Sequence, residues 1–341
     1  MSAVTTMRFP DATAAARADA PRATDALPQG VPPLPQVLAE VPGLPAAEAV
    51  AEHLSAVERE MDGLRAEVEL LRKRDGTLNF YMQRLDEELR LAAKLQQDFL
   101  PRRMPEVGPV RFHALWRPCG YVSGDFYDVM RLDEDHVGFY VADAVGHGVP
   151  AALLTMFIKT ALVTKEITGW SYRLLEPGEA MGRLNAALVA QNLQAGTFCT
   201  AWYGLLNVRT LELRYASAGH PAPLLLRDAG EPAVLVHADG PLLGIFEDER
   251  FPTHACHLRP GDRLVVYTDG VDVAFGDETG PKPDLAAATW IREVNRRRHL
   301  GGAAFMEDIT RRLEHETGSL DPRDDLTVVV AEVGTESKDD G

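Results

Sequence analysis

The chain has 341 residues, 45% of them hydrophobic, and a formal net charge of −16. That length is long for one domain and short for two large ones, and the apolar share suffices for a sizeable core. The negative balance disfavours nucleic acid and anionic membrane surfaces as partners, and no run of ~18 apolar residues offers a membrane span. An acidic substrate is not excluded, because a bound metal can reverse a local field. Cys119, Cys199 and Cys256 are scattered, odd in number and without metal-ligand spacing, which reads as reduced thiols of a cytoplasmic protein. The N-terminus carries Arg8, Pro10 and Asp11 but no apolar core segment, so it does not read as a signal peptide.

In chain order, residues 1–45 are rich in Ala and Pro and show no period, as expected of a disordered tail. Residues 46–100 read as a coiled-coil or linker helix. Val50, Leu54, Val57, Met61, Leu64, Val68 and Leu71 recur in steps of four and three. The register continues through Leu78, Met82, Leu85, Leu89, Ala92 and Phe99 and is broken only by Gln96. Two readings stand: an intermolecular or hairpin coiled coil, or an amphipathic helix lying on its own domain, the second gaining ground after Leu85. Asp75-Gly76 sits on the seam as a helix break or a hinge. Pro101 and Pro105 end the helix.

Residues 101–335 read as one globular domain, followed by a short disordered tail over 336–341. Strands are expected at Val110–Trp116, Phe126–Leu132, Val137–Ala142, Cys199–Val208, Leu211–Ser217, Ala222–Leu226, His254–Leu258, Arg263–Thr268 and Leu326–Val333. Helices are expected at Pro150–Ile167, Pro177–Gln194, Pro283–Arg298 and Gly302–Glu316. Runs of strands and paired helices predict an α+β layered fold rather than a doubly wound sheet.

Four short segments carry the chemistry: SGDFYD at Ser123–Asp128, ADAVGHG at Ala142–Gly148, YTDG at Tyr267–Gly270 and DDLT at Asp324–Thr327. Each places an Asp at a predicted strand end beside Gly or another small residue. Carboxylates that converge from several strand ends repel by roughly 4 kcal/mol per pair at ~4 Å and an effective dielectric near 20, so a cation is expected among them. Oxygen-only donors suit Mg²⁺ or Mn²⁺ rather than Zn²⁺ or copper. Two such ions would activate a water for in-line attack on a phosphoryl group, with no covalent intermediate. In keeping with that, the chain has no Cys-x5-Arg loop, no nucleophile elbow and no Walker-type phosphate loop.

With SAGHPAP at Ser217–Pro223, these segments resemble, in order, those of the metal-dependent protein phosphatases of the PPM superfamily, and more narrowly its bacterial SpoIIE/RsbU-type branch. The approach segment LAAKLQQDFLPRRMP at Leu91–Pro105 is similar to that branch as well. The resemblance covers roughly Leu91 to Val333. It implies an αββα sandwich: two antiparallel sheets flanked by helix pairs, preceded here by the long coiled-coil helix. It implies that Asp125 and Asp143 bind or bridge two divalent ions, Mn²⁺ or Mg²⁺. The Ala144 carbonyl would be a backbone ligand, and Asp269 and Asp324 would complete one shell. It implies a protein serine/threonine phosphatase acting on a phosphorylated STAS-type protein, regulated through the helix ahead of the domain. The seam adds the expectation of a parallel homodimer, gated through Asp75-Gly76 and the Leu85–Phe99 helix.

Several residues depart from that pattern or stay outside it. Ser123 replaces a Gly, Asp272 and Val273 stand where the family has a Glu, and Gly276–Asp284 looks short for a substrate flap. Asp128 would lie on the strand face opposite Asp125. His147 reads as a general acid or a turn-shaping residue, His220 as structural, and Asp325 as a capping or supporting carboxylate. Arg111 and Arg117 lie near the first acidic segment, within reach of a phosphate or simply exposed. The competing reading is a dimeric coiled-coil adaptor with a catalytically degenerate phosphatase-like domain.

Overall fold

The structure, a computed structural model, describes residues 45–193, 196–227, 231–275, 283–316 and 324–335. The expected tails at 1–45 and 336–341 lie outside these residues, save Pro45, and so does 276–282 of the expected flap. Among the described residues, no helix is long and apolar enough to cross a membrane.

Helix α1 spans Pro45–Phe99. It straddles two compact units, one reaching to Glu88 and one beginning at Leu89. Within the first unit the seam residues Val57, Met61, Leu64, Val68, Leu71, Leu78, Met82 and Leu85 are exposed. The break expected at Asp75-Gly76 is absent, because the helix runs through both residues. A glycine there costs only about 1 kcal/mol, and Leu70, Leu71, Arg72, Lys73, Arg74 and Leu78 around it all favour the helix. Thr77 Oγ1 also donates to the Lys73 carbonyl at 2.9 Å.

The second unit holds strands β1 (Val110–Arg117), β2 (Asp125–Arg131) and β3 (His136–Ala144), then helix α2 (Val149–Ala161). There follow β4 (Lys165–Thr168), β5 (Ser171–Leu174), α3 (Pro177–Val189), β6 (Cys199–Asn207) and β7 (Glu212–Ala218). Next come β8 (Leu224–Leu226), β9 (Val234–Leu235), β10 (His254–His257) and β11 (Arg263–Tyr267). The chain closes with α4 (Gly270–Phe275), α5 (Pro283–Arg296), α6 (Gly302–Glu316) and β12 (Leu326–Val333). One sheet has the order β1-β12-β11-β8-β9, the other β10-β7-β6-β3-β2, and every neighbouring pair is antiparallel.

Side-chain alternation along the strands builds three apolar layers. Phe139 and Val141 of β3, with Trp202 and Leu206 of β6, point inward and meet Phe112, Leu264, Val266 and Val329 of the other sheet. Tyr140 and Ala142 point the other way, onto Leu154 and Ile158 of α2 and Met181 and Leu184 of α3. Val328 and Val330 of β12 face Trp290 and Val294 of α5 and Phe305 and Ile309 of α6. The result is the αββα sandwich.

The helix expected over Pro150–Ile167 ends at Ala161, and a hairpin takes its last residues. Val163, Thr164, Ile167 and Thr168 are β-branched and lose side-chain freedom in a helix. The short helix α4 and the two-residue strand β9 are additions to the sequence reading. The β2–β3 hairpin closes at Leu132–Asp135. There the Leu132 amide donates to the His136 carbonyl at 2.9 Å, and Asp133 Oδ1 accepts from the Asp135 and His136 amides, each at 2.8 Å.

Candidate functional site

At the open end of that hairpin, β2 begins and β3 finishes side by side, with Asp125 directly opposite Asp143. Directly opposed residues of an antiparallel pair project to one face with Cβ atoms roughly 5 Å apart, and like charges there are destabilising. Asp125 is 1% exposed. The second sheet reaches the same place through the end of β11 and the start of β12. Thr268 Oγ1 and Thr327 Oγ1 donate to Asp125 Oδ2 at 2.6 and 2.8 Å. Thr268 Oγ1 accepts from the Thr327 amide at 3.0 Å, and the Thr268 amide donates to the Thr327 carbonyl at 3.0 Å. One oxygen of Asp125 is thus fixed between the sheets, and its other oxygen is engaged by neither hydroxyl.

Asp269 follows β11 and is exposed, while Asp324 precedes β12 and is half-buried. Burial, and then the charge of Asp143, hold the Asp125 carboxyl well above the usual carboxylate range, against the two threonine hydroxyls. Burial, then Asp269, Asp324 and Asp325, push Asp143 up to about 8. Burial and Asp269 raise Asp324, while the Asp325 amide and the nearby His147 pull it down. Asp272 is pushed up to about 6 by burial and Asp269, and among the described residues its buried Oδ1 has no hydrogen-bond partner. The cluster therefore carries more negative charge than its surroundings stabilise.

An oxygen-only set with uncompensated negative charge fits hard divalent cations. Among the described residues, no three His, Cys, Asp or Glu side chains stand close enough to form a ready-made shell. Ala144 lies beside Asp143, its amide donating to the Gly124 carbonyl at 3.0 Å, so its backbone borders the Asp125 turn. The sequence-expected residues Asp125, Asp143, Ala144, Asp269 and Asp324 all come to this end of the sandwich.

The neighbouring residues sort themselves by contact. Asp325 is a tie: its Oδ1 accepts from the Cys119 amide at 2.7 Å and its Oδ2 from the Gly124 amide at 2.6 Å. Gly270 is required, because a Cβ there would lie 1.9 Å from the Asp325 carbonyl. Asp128 points to the opposite face, where Lys159 Nζ of α2 meets its Oδ2 at 2.5 Å. His147 is exposed on the turn between Gly146 and Gly148, whose φ values of +88° and +76° favour glycine. His220 is buried, its Nδ1 is 2.8 Å from Thr200 Oγ1, and burial pushes its pKa down to about 3, so it is neutral. Arg111 binds the Gly108 and Val110 carbonyls at the far end of β1, away from the cluster. Burial and Asp325 push the Cys119 thiol up to about 12, which removes it as a nucleophile.

Sequence reasoning missed Thr268 and Thr327, although both stand inside the quoted segments. It also missed the use of Ser123, whose Oγ accepts from the Asp125 amide at 3.0 Å, a bond the glycine of the family pattern has no side chain to make.

Residues 133–334 match the family model described as Stage II sporulation protein E (SpoIIE). That span includes Asp143, Asp269 and Asp324 and begins after Asp125, which the β2–β3 register joins to them. The chain is 31% identical over 195 residues to the phosphoserine phosphatase RsbU of Bacillus subtilis, covering 57% of this chain and 56% of that protein. It is 32% identical over 187 residues to the phosphoserine phosphatase RsbP of the same organism, covering 54% and 45%. It thus spans about half the length of these curated relatives. The solved SiaA-PP2C domain of Pseudomonas aeruginosa superposes with a TM-score of 0.61 at 23% identity, covering 73% of this chain and 97% of that domain. That likeness establishes the fold, and the family match over more than half of the sequence establishes the lineage: the chain belongs to the SpoIIE family.

Proposed function

We propose that the chain is a metal-dependent protein serine/threonine phosphatase that removes phosphate from a phosphorylated signalling protein of STAS type. The observation that carries this reading is the directly opposed pair of buried Asp125 and half-buried Asp143, with Asp269 and Asp324 near it beside strand ends of the other sheet. The names of the relatives RsbU and RsbP support the phosphoserine chemistry. Asp125, Asp143, Asp269, Asp324 and the Ala144 carbonyl would hold two divalent ions, Mn²⁺ or Mg²⁺. Bound there, these ions supply Lewis acidity and an activated water for in-line attack on phosphorus. The protein's own part is placement. Thr268 and Thr327 fix one oxygen of Asp125, Asp325 fixes the Cys119–Gly124 turn, and the pairing register sets Asp143 against Asp125.

The free cysteines agree with action in the cytoplasm. The exposed heptad residues of α1 support a parallel homodimer through a coiled coil, with regulation passing along the helix into the domain. The deciding assay is Mn²⁺-dependent phosphate release from a phosphoserine-bearing STAS protein. Asp143→Asn should lower turnover at least ~100-fold, more than the loss usual for an outer partner of a ligand. Release from no phosphoprotein by a preparation with proven metal occupancy would overturn the enzyme reading. Light scattering at micromolar concentration should give twice the chain mass, and a monomer mass removes the coiled-coil dimer.

A further inference from the structure

The last turns of α1 contain one fully buried polar side chain, Gln96, 3% exposed. It stands where the apolar register fails, among Ala93, Val122 and Ala152. Its amide makes a two-point clasp on a single residue of the site turn. Nε2 donates to the Ser123 carbonyl at 2.7 Å, and Oε1 accepts from the Ser123 amide at 2.9 Å. The second Nε2 hydrogen reaches Thr155 Oγ1 of α2 at 3.3 Å. Both ends of the side-chain amide are therefore satisfied, and Ser123 itself is fully buried.

The clasp completes an accounting of the turn that carries Asp125. The Ser123 amide and carbonyl go to Gln96, the Gly124 amide to Asp325, and the Gly124 carbonyl to the Ala144 amide. The Asp125 amide goes to Ser123 Oγ, and the Asp125 carbonyl accepts from Trp116 Nε1 at 2.9 Å. Ser123 and Gly124 precede the strand ladder, so side chains and one amide replace it. A buried backbone group without a partner is rare, so loss of the Gln96 amide forces this turn to rearrange or admit water. The residue two positions on is the buried carboxylate of the site.

We propose that Gln96 is a positioning residue for the metal-binding face, setting the place of Asp125 through Ser123. The inference rests on the metal-site reading above. A purely packing role predicts altered thermal stability alone, whereas a positioning role predicts altered ion affinity in a folded protein.

The test is calorimetric Mn²⁺ titration of the full-length chain, which needs no substrate or turnover. Gln96→Met keeps the length and removes the amide, and it should bind Mn²⁺ roughly 10–100-fold more weakly, the loss usual for an outer partner of a metal ligand. Gln97→Ala, next to it on the helix, should bind as wild type does. Wild-type affinity in a folded Gln96→Met protein overturns the proposal. Should that variant not fold, Gln96→Asn keeps the amide but draws it back by one methylene. A folded Gln96→Asn protein with weakened Mn²⁺ binding supports the role, and one with unchanged binding overturns it. A wild-type chain that binds no Mn²⁺ overturns the metal reading and this proposal together, so the two failures are told apart.

Discussion

Asp125 and Asp325 are both buried aspartates at the same end of the sandwich, yet they sit there on opposite terms. Asp325 has each oxygen matched to a backbone amide, Cys119 on one side and Gly124 on the other. Asp125 has one oxygen held by two threonine hydroxyls and faces Asp143 across the ladder. The first arrangement satisfies a carboxylate and stiffens the fold. The second leaves like charges opposed, which lowers stability and creates a demand for a cation. Burial alone does not separate a structural carboxylate from a functional one, whereas the groups that occupy its lone pairs do.

That contrast can be broken by substitution. Asp325→Ala leaves the half-buried Cys119 amide and the buried Gly124 amide without this acceptor and should lower unfolding free energy by about 2–3 kcal/mol in denaturant melts of the metal-free protein. An effect under about 0.5 kcal/mol would show that water replaces the carboxylate freely. Thr327→Val removes one of the two hydroxyls on Asp125 and should weaken Mn²⁺ binding by roughly tenfold. Unchanged binding would mean that Thr268 alone fixes that oxygen.

The last expected effect has the opposite sign. Asp143→Asn relieves the charge opposition and should stabilise the metal-free protein on the alkaline side. The sign follows from linkage. Asp143 keeps its proton in the folded state up to about 8, while an unfolded aspartate loses it near 3.8. Between those values the unfolded chain binds fewer protons, so this group's contribution falls as pH rises and levels off above 8. Denaturant midpoints for wild type and Asp143→Asn at pH 5.5 and 8 should therefore diverge on the alkaline side. Parallel shifts would remove Asp143 as the cause.

The layered fold was legible because alternation and helical period are written locally, as in Val328–Ala331, whose neighbours face alternate layers. The acidic positions were legible because each Asp stands beside a small residue at a strand end. Contacts that join distant segments were not. Nothing near Thr327 indicates that its hydroxyl meets a residue on β2, and nothing near Asp325 indicates the amide of Gly124. The hairpin after α2 was hidden because Val163–Ile167 continues an apolar pattern while its β-branched side chains favour a strand. Gln96 left a mark as the polar residue that breaks the seam after Leu78, and only its burial gave that mark a meaning.

The turn at Leu132–Asp135 lies at the other end of β2 from Asp125, a strand of seven residues, or roughly 23 Å. It nonetheless acts as the gauge of the site. The bonds from Asp133 to the Asp135 and His136 amides set the loop length, and loop length sets which residue of β2 stands against which residue of β3. One residue added or lost there would turn every side chain of one strand to the other face. The sandwich would lose the Asp125–Asp143 opposition without any change to either aspartate, so this distant loop is under the same constraint as the two aspartates themselves.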